Sequence, residues 1–260
     1  MFPIRDDNPH FLTPYATYTI ITLNAAAWAL FQGLGSEPAL SRSVCTLGLI
    51  PGELLGTLGA GTRFPISQQA HCVISGGPAW YTAITSMFMH GGWLHILSNM
   101  WFMWIFGNNV EDSMGHLRFV LFYLLCGLAA AALQVASNPG SGIPMVGASG
   151  AIGGVMGAYV LLYPRVHVHL LIFLGFFVTT VAVPAVFMLG YWFLLQLLGG
   201  FGSIGATGGG VAFWAHIGGF VAGAALILLF RDPKLVARHP YYGWQSRRAP
   251  TRSWRKIDRR

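Results

Sequence analysis

Long apolar runs, separated by short polar or glycine- and proline-rich stretches, set the pattern of this chain. The first, residues 15–34, has Asn24 and Gln32 as its only strongly polar members. It predicts a helix of membrane length, because about 20 apolar residues at ~1.5 Å each match a hydrocarbon core of ~30 Å. Similar runs predict helices over 91–110, 117–136, 149–163 and 213–230. The run 166–198 is too long for one straight span, so an interfacial approach is expected first, then a helix over 178–198 loosened at Pro184. Residues 35–89 carry too many apolar side chains for a disordered linker and predict an ordered loop, with an aromatic segment, 78–89, suited to lying flat at the interface. The expected fold class is therefore all-α: a polytopic bundle of six transmembrane helices over 15–230, between a short N-terminal stretch, 1–14, and a tail, 231–260.

Composition narrows the class further. Of 260 residues, 54% are hydrophobic and only 9% charged, which fits a membrane protein and leaves little material for a separate soluble domain. The N-terminal stretch has no short hydrophobic core with a small-residue cleavage site, so the first run is expected to stay as an anchor. A net charge of +7 would ordinarily raise nucleic acid as a partner, but ten of the fifteen Lys and Arg lie in the last thirty residues. Directly after a span, the tail's basic residues and aromatics suit anionic lipid headgroups, so the bilayer is the expected partner and no nucleic acid is expected. Arg118, Arg165 and the tail mark one side of the membrane, whereas 137–148 and 199–212 carry no Lys or Arg. Both termini are then expected in the cytoplasm, and compactness suggests a bacterial inner membrane.

Polar residues inside such spans are costly and point to function. Ser149 opens a helix in which Gly150, Gly153, Gly154 and Gly157 leave one face almost bare, so a neighbouring backbone can approach closely. The same residues also suit a packing helix with a serine cap. His95 and Asn99 are four residues apart on one helix face, and His216, Gly219 and Gly223 form a stripe able to press on the glycines after Ser149. In the expected topology all four polar groups lie in the outer half of the membrane. A histidine beside a serine can take the hydroxyl proton and return it to a leaving amine, and donors near a helix N-terminus stabilise a developing oxyanion. No carboxylate lies in the fourth or sixth run to orient the histidine, which makes the expected unit a Ser149–His216 dyad.

Four motifs in order, His90-Gly-Gly-Trp-Leu-His95-Ile-Leu-Ser-Asn99, Gly107-x-x-x-Glu111-x-x-x-Gly115, Gly147-Ala-Ser149-Gly150 and Ala215-His216-Ile-Gly-Gly219-x-x-x-Gly223, resemble those of the rhomboid intramembrane serine proteases. The resemblance spans about residues 78–230. It implies a rhomboid-like bundle, Ser149 as nucleophile, His216 as base, an oxyanion hole from His95, Asn99 and the Ser149 N–H, and supporting roles for His90, Gly147, Gly150, Gly219 and Gly223. It further implies endopeptidase action on transmembrane protein substrates, entering past the fifth helix to a site open to the outer face, without metal or other cofactor. Some members carry a tyrosine four residues after the serine that stacks on the base. Here Gly153 stands at that position, so His216 must be oriented in another way. A non-proteolytic relative that binds or hands on transmembrane helices is the alternative, a channel lined by the same groups a weaker one, and the oligomeric state is left open.

Other residues carry blander expectations. Glu111, at the cytoplasmic end of its run, suits bonding to backbone N–H groups. His167 and His169 alternate without a nearby third ligand and suit an interfacial position better than a metal. Cys45 and Cys72 share the long loop and pair only if that side is oxidising; Cys126 reads as a core residue.

Overall fold

The computed structural model describes residues 2–66, 70–175, 177–203 and 210–243. The basic tail beyond Gly243, with Arg247, Arg248, Arg259 and Arg260, lies outside the described residues, as does the lipid contact expected of it.

In chain order, strand β1 (Phe2–Asp6) precedes helix α1 (Tyr15–Leu30). The long loop holds α2 (Ala39–Leu47), α3 (Pro51–Leu54), β2 (Arg63–Pro65), β3 (His71–Val73) and α4 (Thr82–Thr85). There follow α5 (Trp93–Met114), α6 (His116–Ser137), α7 (Ser149–Leu162), β4 (His167–Leu174), β5 (Phe177–Pro184), α8 (Ala185–Gly202), α9 (Phe213–Phe230) and α10 (Pro233–Val236). The protein is thus mainly helical, with α1 and α5 to α9 as the bundle. Among the described residues α6, α8 and α9 are each long and apolar enough to cross a membrane, and α7 is a shorter apolar helix.

The fifth helix does not begin where the hydropathy places it. Residues 178–184 are strand, and α8 starts at Ala185. The run Phe177-Val-Thr-Thr-Val-Ala-Val-Pro184 is rich in β-branched residues and pairs antiparallel with His167–Leu174, so pairing overrides the apolar length that suggested helix. Pro184 does not loosen the helix; it precedes it with extended backbone, as proline's missing N–H allows at a helix start. β4 also pairs with β1, from Phe2 opposite Leu171 to Asp6 opposite Val168, so a three-stranded sheet in the order β1-β4-β5 joins the helices. The Trp101 Nε1–H donates to Pro3 O at 2.7 Å, and its ring stacks on Phe2. Asn109 Nδ2, eight residues after Trp101 on α5, donates to Asn8 O at 3.2 Å, so the stretch from Pro3 to Asn8 runs roughly 12 Å along α5. The first helix is also shorter than the first apolar run, closing at Leu30 before a 3-10 turn at Gly33–Gly35.

The centre of the bundle is glycine against backbone. A Cβ on Gly219 would stand 1.8 Å from Gly150 O, and one on Gly223 1.9 Å from Gly154 O, so α7 and α9 touch main chain to main chain. On its other side α7 meets α6, where a Cβ on Gly154 would overlap Cys126, itself fully buried. Around this contact Phe106, Phe119, Phe122, Val155, Met156 and Tyr159 form the buried core.

The described residues of the long loop form short helices and strands and include a Cys45–Cys72 disulfide with 27 residues of separation. It packs Cys72, Ile50 and Ile74 into a small cluster of its own. Glu53 accepts bonds from the Ser75 N–H and hydroxyl at 2.8 and 2.6 Å. Leu49 and Met145 exchange backbone hydrogen bonds at 3.0 and 2.7 Å, and the Gly52 N–H donates to Ser141 O at 2.8 Å. The loop therefore braces the irregular stretch that leads into Ser149.

Candidate active site

Ser149 is the first residue of α7, held from behind by Gly147, whose N–H donates to Ser86 O at 2.9 Å. Gly147 has φ of +128°, in the left-handed region that favours glycine, and a Cβ there would lie 2.7 Å from His95 Nε2. The turn before the serine thus needs glycine for its backbone and for the room it gives the His95 ring.

His216, one turn into α9, reaches across the glycine contact to the serine. Its Nε2 lies 2.8 Å from Ser149 Oγ, a full hydrogen bond. The close approach of Gly219 to Gly150 helps set this distance, since a side chain at Gly219 would push α9 away from α7, whereas a Cβ on Gly150 would meet Ala130 of α6 at 2.6 Å. The other ring nitrogen, Nδ1, lies 2.8 Å from Gln196 Oε1 on α8. The Trp192 ring, also on α8, lies beside the imidazole with centroids 5.8 Å apart at 36°. Two α8 residues therefore flank the histidine where Gly153 offers no side chain. Gly153 instead brings α7 close to α9; a Cβ there would be 3.1 Å from His216 O.

His95 and Asn99 enter the same space from α5. His95 Nδ1 accepts from the Gly91 N–H at 3.3 Å, which in the neutral ring assigns the proton to Nε2, the nitrogen beside Gly147. Asn99 Nδ2 donates to His95 O at 2.8 Å. The four residues line one cavity of about 910 Å³, bordered further by Gln134, Met145, Trp192 and Phe213. Its polar wall continues through Ser137, Asn138 and Ser141.

His90 lies behind this wall, fully buried, with its ring edge-on to His95 at 5.1 Å. The Gln32 side chain clamps the His90 backbone, accepting from its N–H at 2.8 Å and donating to its carbonyl at 2.7 Å. His90 thus ties the end of α1 to the mouth of α5. Gly150 and Gly219 meet in the α7–α9 contact, and Gly223 extends it one turn further along.

Glu111 stands at the far end of α5, away from the cavity. Its carboxylate accepts from the backbone N–H groups of Ala16 and Thr17 at 2.9 and 2.8 Å, which fastens the start of α1. His169 bonds Asp7 at 2.9 Å, tying β4 to the N-terminal stretch. Gln196 is the site residue that reasoning from spacing missed. The available signal was a lone strongly polar side chain in an otherwise apolar helix, and it is buried.

The model of the Rhomboid domain family matches residues 77–233, well over half of the chain. The chain belongs to the rhomboid family, and its apolar helices make it an integral membrane protein. It is 39% identical over 85 residues to Rhomboid-like protein 11, chloroplastic, of Arabidopsis thaliana, covering 33% of this chain and 30% of that protein. It is 35% identical over 147 residues to Rhomboid protease GluP of Bacillus subtilis (strain 168), covering 56% of this chain and 26% of that protein. Putative rhomboid protease YdcA of the same organism is 27% identical over 154 residues, 58% of this chain and 63% of that protein. The chain spans under a third of the length of the first two relatives.

Proposed function

We propose that this protein is an intramembrane serine endopeptidase that hydrolyses a peptide bond in or near the transmembrane segment of another membrane protein. The observation that carries the reading is the 2.8 Å contact of His216 Nε2 with Ser149 Oγ, at the wall of a cavity large enough for an extended peptide segment. His216 takes the proton as Ser149 Oγ bonds to the scissile carbonyl carbon, and the carbonyl oxygen becomes an oxyanion. His95 Nε2–H, the free Asn99 amide hydrogen and the Ser149 N–H at the start of α7 form the hole that receives it. Collapse breaks the C–N bond, and His216 returns its proton to the leaving amine. Water then attacks the ester with His216 again as base, the acyl C–Oγ bond breaks, His216 returns the proton to Ser149 Oγ, and the second product leaves as its carboxylic acid.

The chain's own residues suffice for these steps, so the reading calls for no metal or cofactor. A helical substrate must unwind to offer its carbonyl, so small or helix-breaking residues near the cleavage point are favoured. The domain layout that goes with this reading is an N-terminal stretch, 1–14, on the cytoplasmic side with its first residues laid back along α5, a six-span rhomboid domain, 15–230, with its long outer loop at 35–89, and a cytoplasmic basic tail, 231–260. The cavity then opens to the outer face of a bacterial inner membrane. The disulfide in the loop on that face supports this orientation, because disulfides persist outside the reducing cytosol.

The test is cleavage of a single-span reporter by the purified chain in lipid vesicles. Wild type cuts, whereas Ser149→Ala and His216→Ala, folded by thermal melt, lose at least about 10³-fold in rate. Cleavage by both variants at the wild-type rate would sink the dyad. Reporter binding without cleavage by wild type would favour a protein that binds and hands on transmembrane helices.

A further inference from the structure

Gln196 has no place in a two-residue mechanism, yet it is the buried polar group closest in kind to the third member of a catalytic triad. We propose that it is the positioning residue for His216, acting from α8 on a dyad supplied by α7 and α9; the proposal rests on the protease reading above. The argument begins with the amide's orientation. Gln196 Nε2 donates to Trp192 O, four residues earlier on α8, at 3.2 Å, which turns Oε1 toward the histidine at 2.8 Å. A carbonyl oxygen only accepts, so the proton of the neutral ring sits on Nδ1 and Nε2 faces Ser149 bare. The opposite amide orientation would make Nδ1 the acceptor, put the proton on Nε2 and leave no base for the serine.

The arrangement differs from a carboxylate triad in one respect. A neutral amide orients the ring as a carboxylate does but adds no negative charge to stabilise the imidazolium formed when Ser149 attacks. It also makes the base depend on α8. A shift of that helix that stretches the 2.8 Å contact past about 3.5 Å frees the ring to turn. Substrate seating against α8 and competence of His216 are then one event, because Trp192 both lines the cavity and flanks the imidazole.

The experiment uses the full chain in lipid vesicles with two readouts, reporter cleavage and labelling of Ser149 by a fluorophosphonate. Labelling reports serine reactivity without a docked substrate. Gln196→Leu is expected to lower kcat about 10- to 100-fold with KM within about twofold, and to slow labelling equally. Gln196→Glu restores an acceptor and adds charge, so it should retain labelling and move the acid limb of the pH–rate profile upward by about one unit or more. Among the described residues, His95, from α5, is the other titratable group that lines the cavity. A shift that appears only on changing residue 196 assigns the limb to His216. If Gln196→Leu labels and cleaves like wild type with an unchanged profile, while Ser149→Ala does not label, the positioning role is wrong and the dyad stands. Wild type that fails to label at Ser149 would remove the dyad and this role together. Should Gln196→Leu unfold, the Gln196→Glu profile decides, and an unmoved acid limb overturns the proposal.

Discussion

The two ends of α5 treat their polar side chains in opposite ways. At its far end Glu111 is fully buried and meets four donors: the N–H groups of Ala16 and Thr17, the Thr17 hydroxyl at 2.7 Å, and His116 Nδ1 at 2.5 Å. Next to it Asp112 accepts from the Phe11 and Leu12 N–H groups at 2.5 and 2.9 Å. At the near end His95 and Asn99 have backbone partners for part of their capacity only, and their remaining donors border an open cavity. Saturation marks a polar group that holds helices together, because its lone pairs are already spent on fixed neighbours. Spare capacity beside a cavity marks one able to meet a reacting atom. What a buried polar group is for is read here from its partner count rather than from its polarity alone.

That contrast is open to direct attack. The largest effect should come from Glu111→Ala, which strands buried donors at the start of α1 and removes the carboxylate that holds them. We expect a loss on the order of 3–5 kcal/mol, read as a lowered melting temperature in detergent, with kcat per folded molecule little changed. A stable, inactive Glu111→Ala protein would break the distinction. Next in size, His95→Ala should slow cleavage about 10²–10³-fold, roughly 2.7–4 kcal/mol in the barrier, with a melting temperature close to wild type. A large fall in stability with kcat preserved would move His95 to the structural side.

The smallest effect is a pH dependence outside the bundle. His239, beyond α10, is buried with both ring nitrogens engaged, Nε2 to Pro9 O at 3.1 Å and Nδ1 accepting from the Tyr241 N–H at 3.2 Å. Burial lowers its pKa to about 4 from the ordinary 6.5. A depressed folded pKa means that the neutral ring's contribution is present above about pH 6.5 and is lost as pH falls toward 4. The segment 231–243 should therefore loosen on acidification, seen as amide exchange there that rises relative to its intrinsic rate between pH 6.5 and 4, and His239→Phe should flatten that dependence. Exchange that slows on acidification beyond its intrinsic pH trend would contradict the assignment.

How much of this was legible beforehand varies by element. The sixth apolar run, 213–230, is the helix Phe213–Phe230, and the fourth ends at Leu162, one residue from the expected 163. Hydropathy works for these because the bilayer length and the glycine spacing are local properties. Residues 177–184 misled because a short apolar run reads the same for a buried helix as for a strand, and only the partner at 167–174 decides. The adjacency of Ser149 and His216 was suggested by two facing glycine stripes. Gln196 was not, since nothing near it in sequence says that its amide ends 2.8 Å from a ring twenty residues on.

The sequence by itself determined the membrane class, the helical segments with strong periodicity, the family motifs and the glycine faces that let α7 and α9 meet. Each of these follows from side-chain chemistry repeated along a few turns. Only the tertiary structure decided that β1 and the β4–β5 hairpin form a sheet against the bundle, that Cys45 meets Cys72, and that α8 flanks the histidine with Gln196 and Trp192. Those features pair groups distant along the chain, and hydrogen-bond partners of that kind are selected by the packing of whole elements.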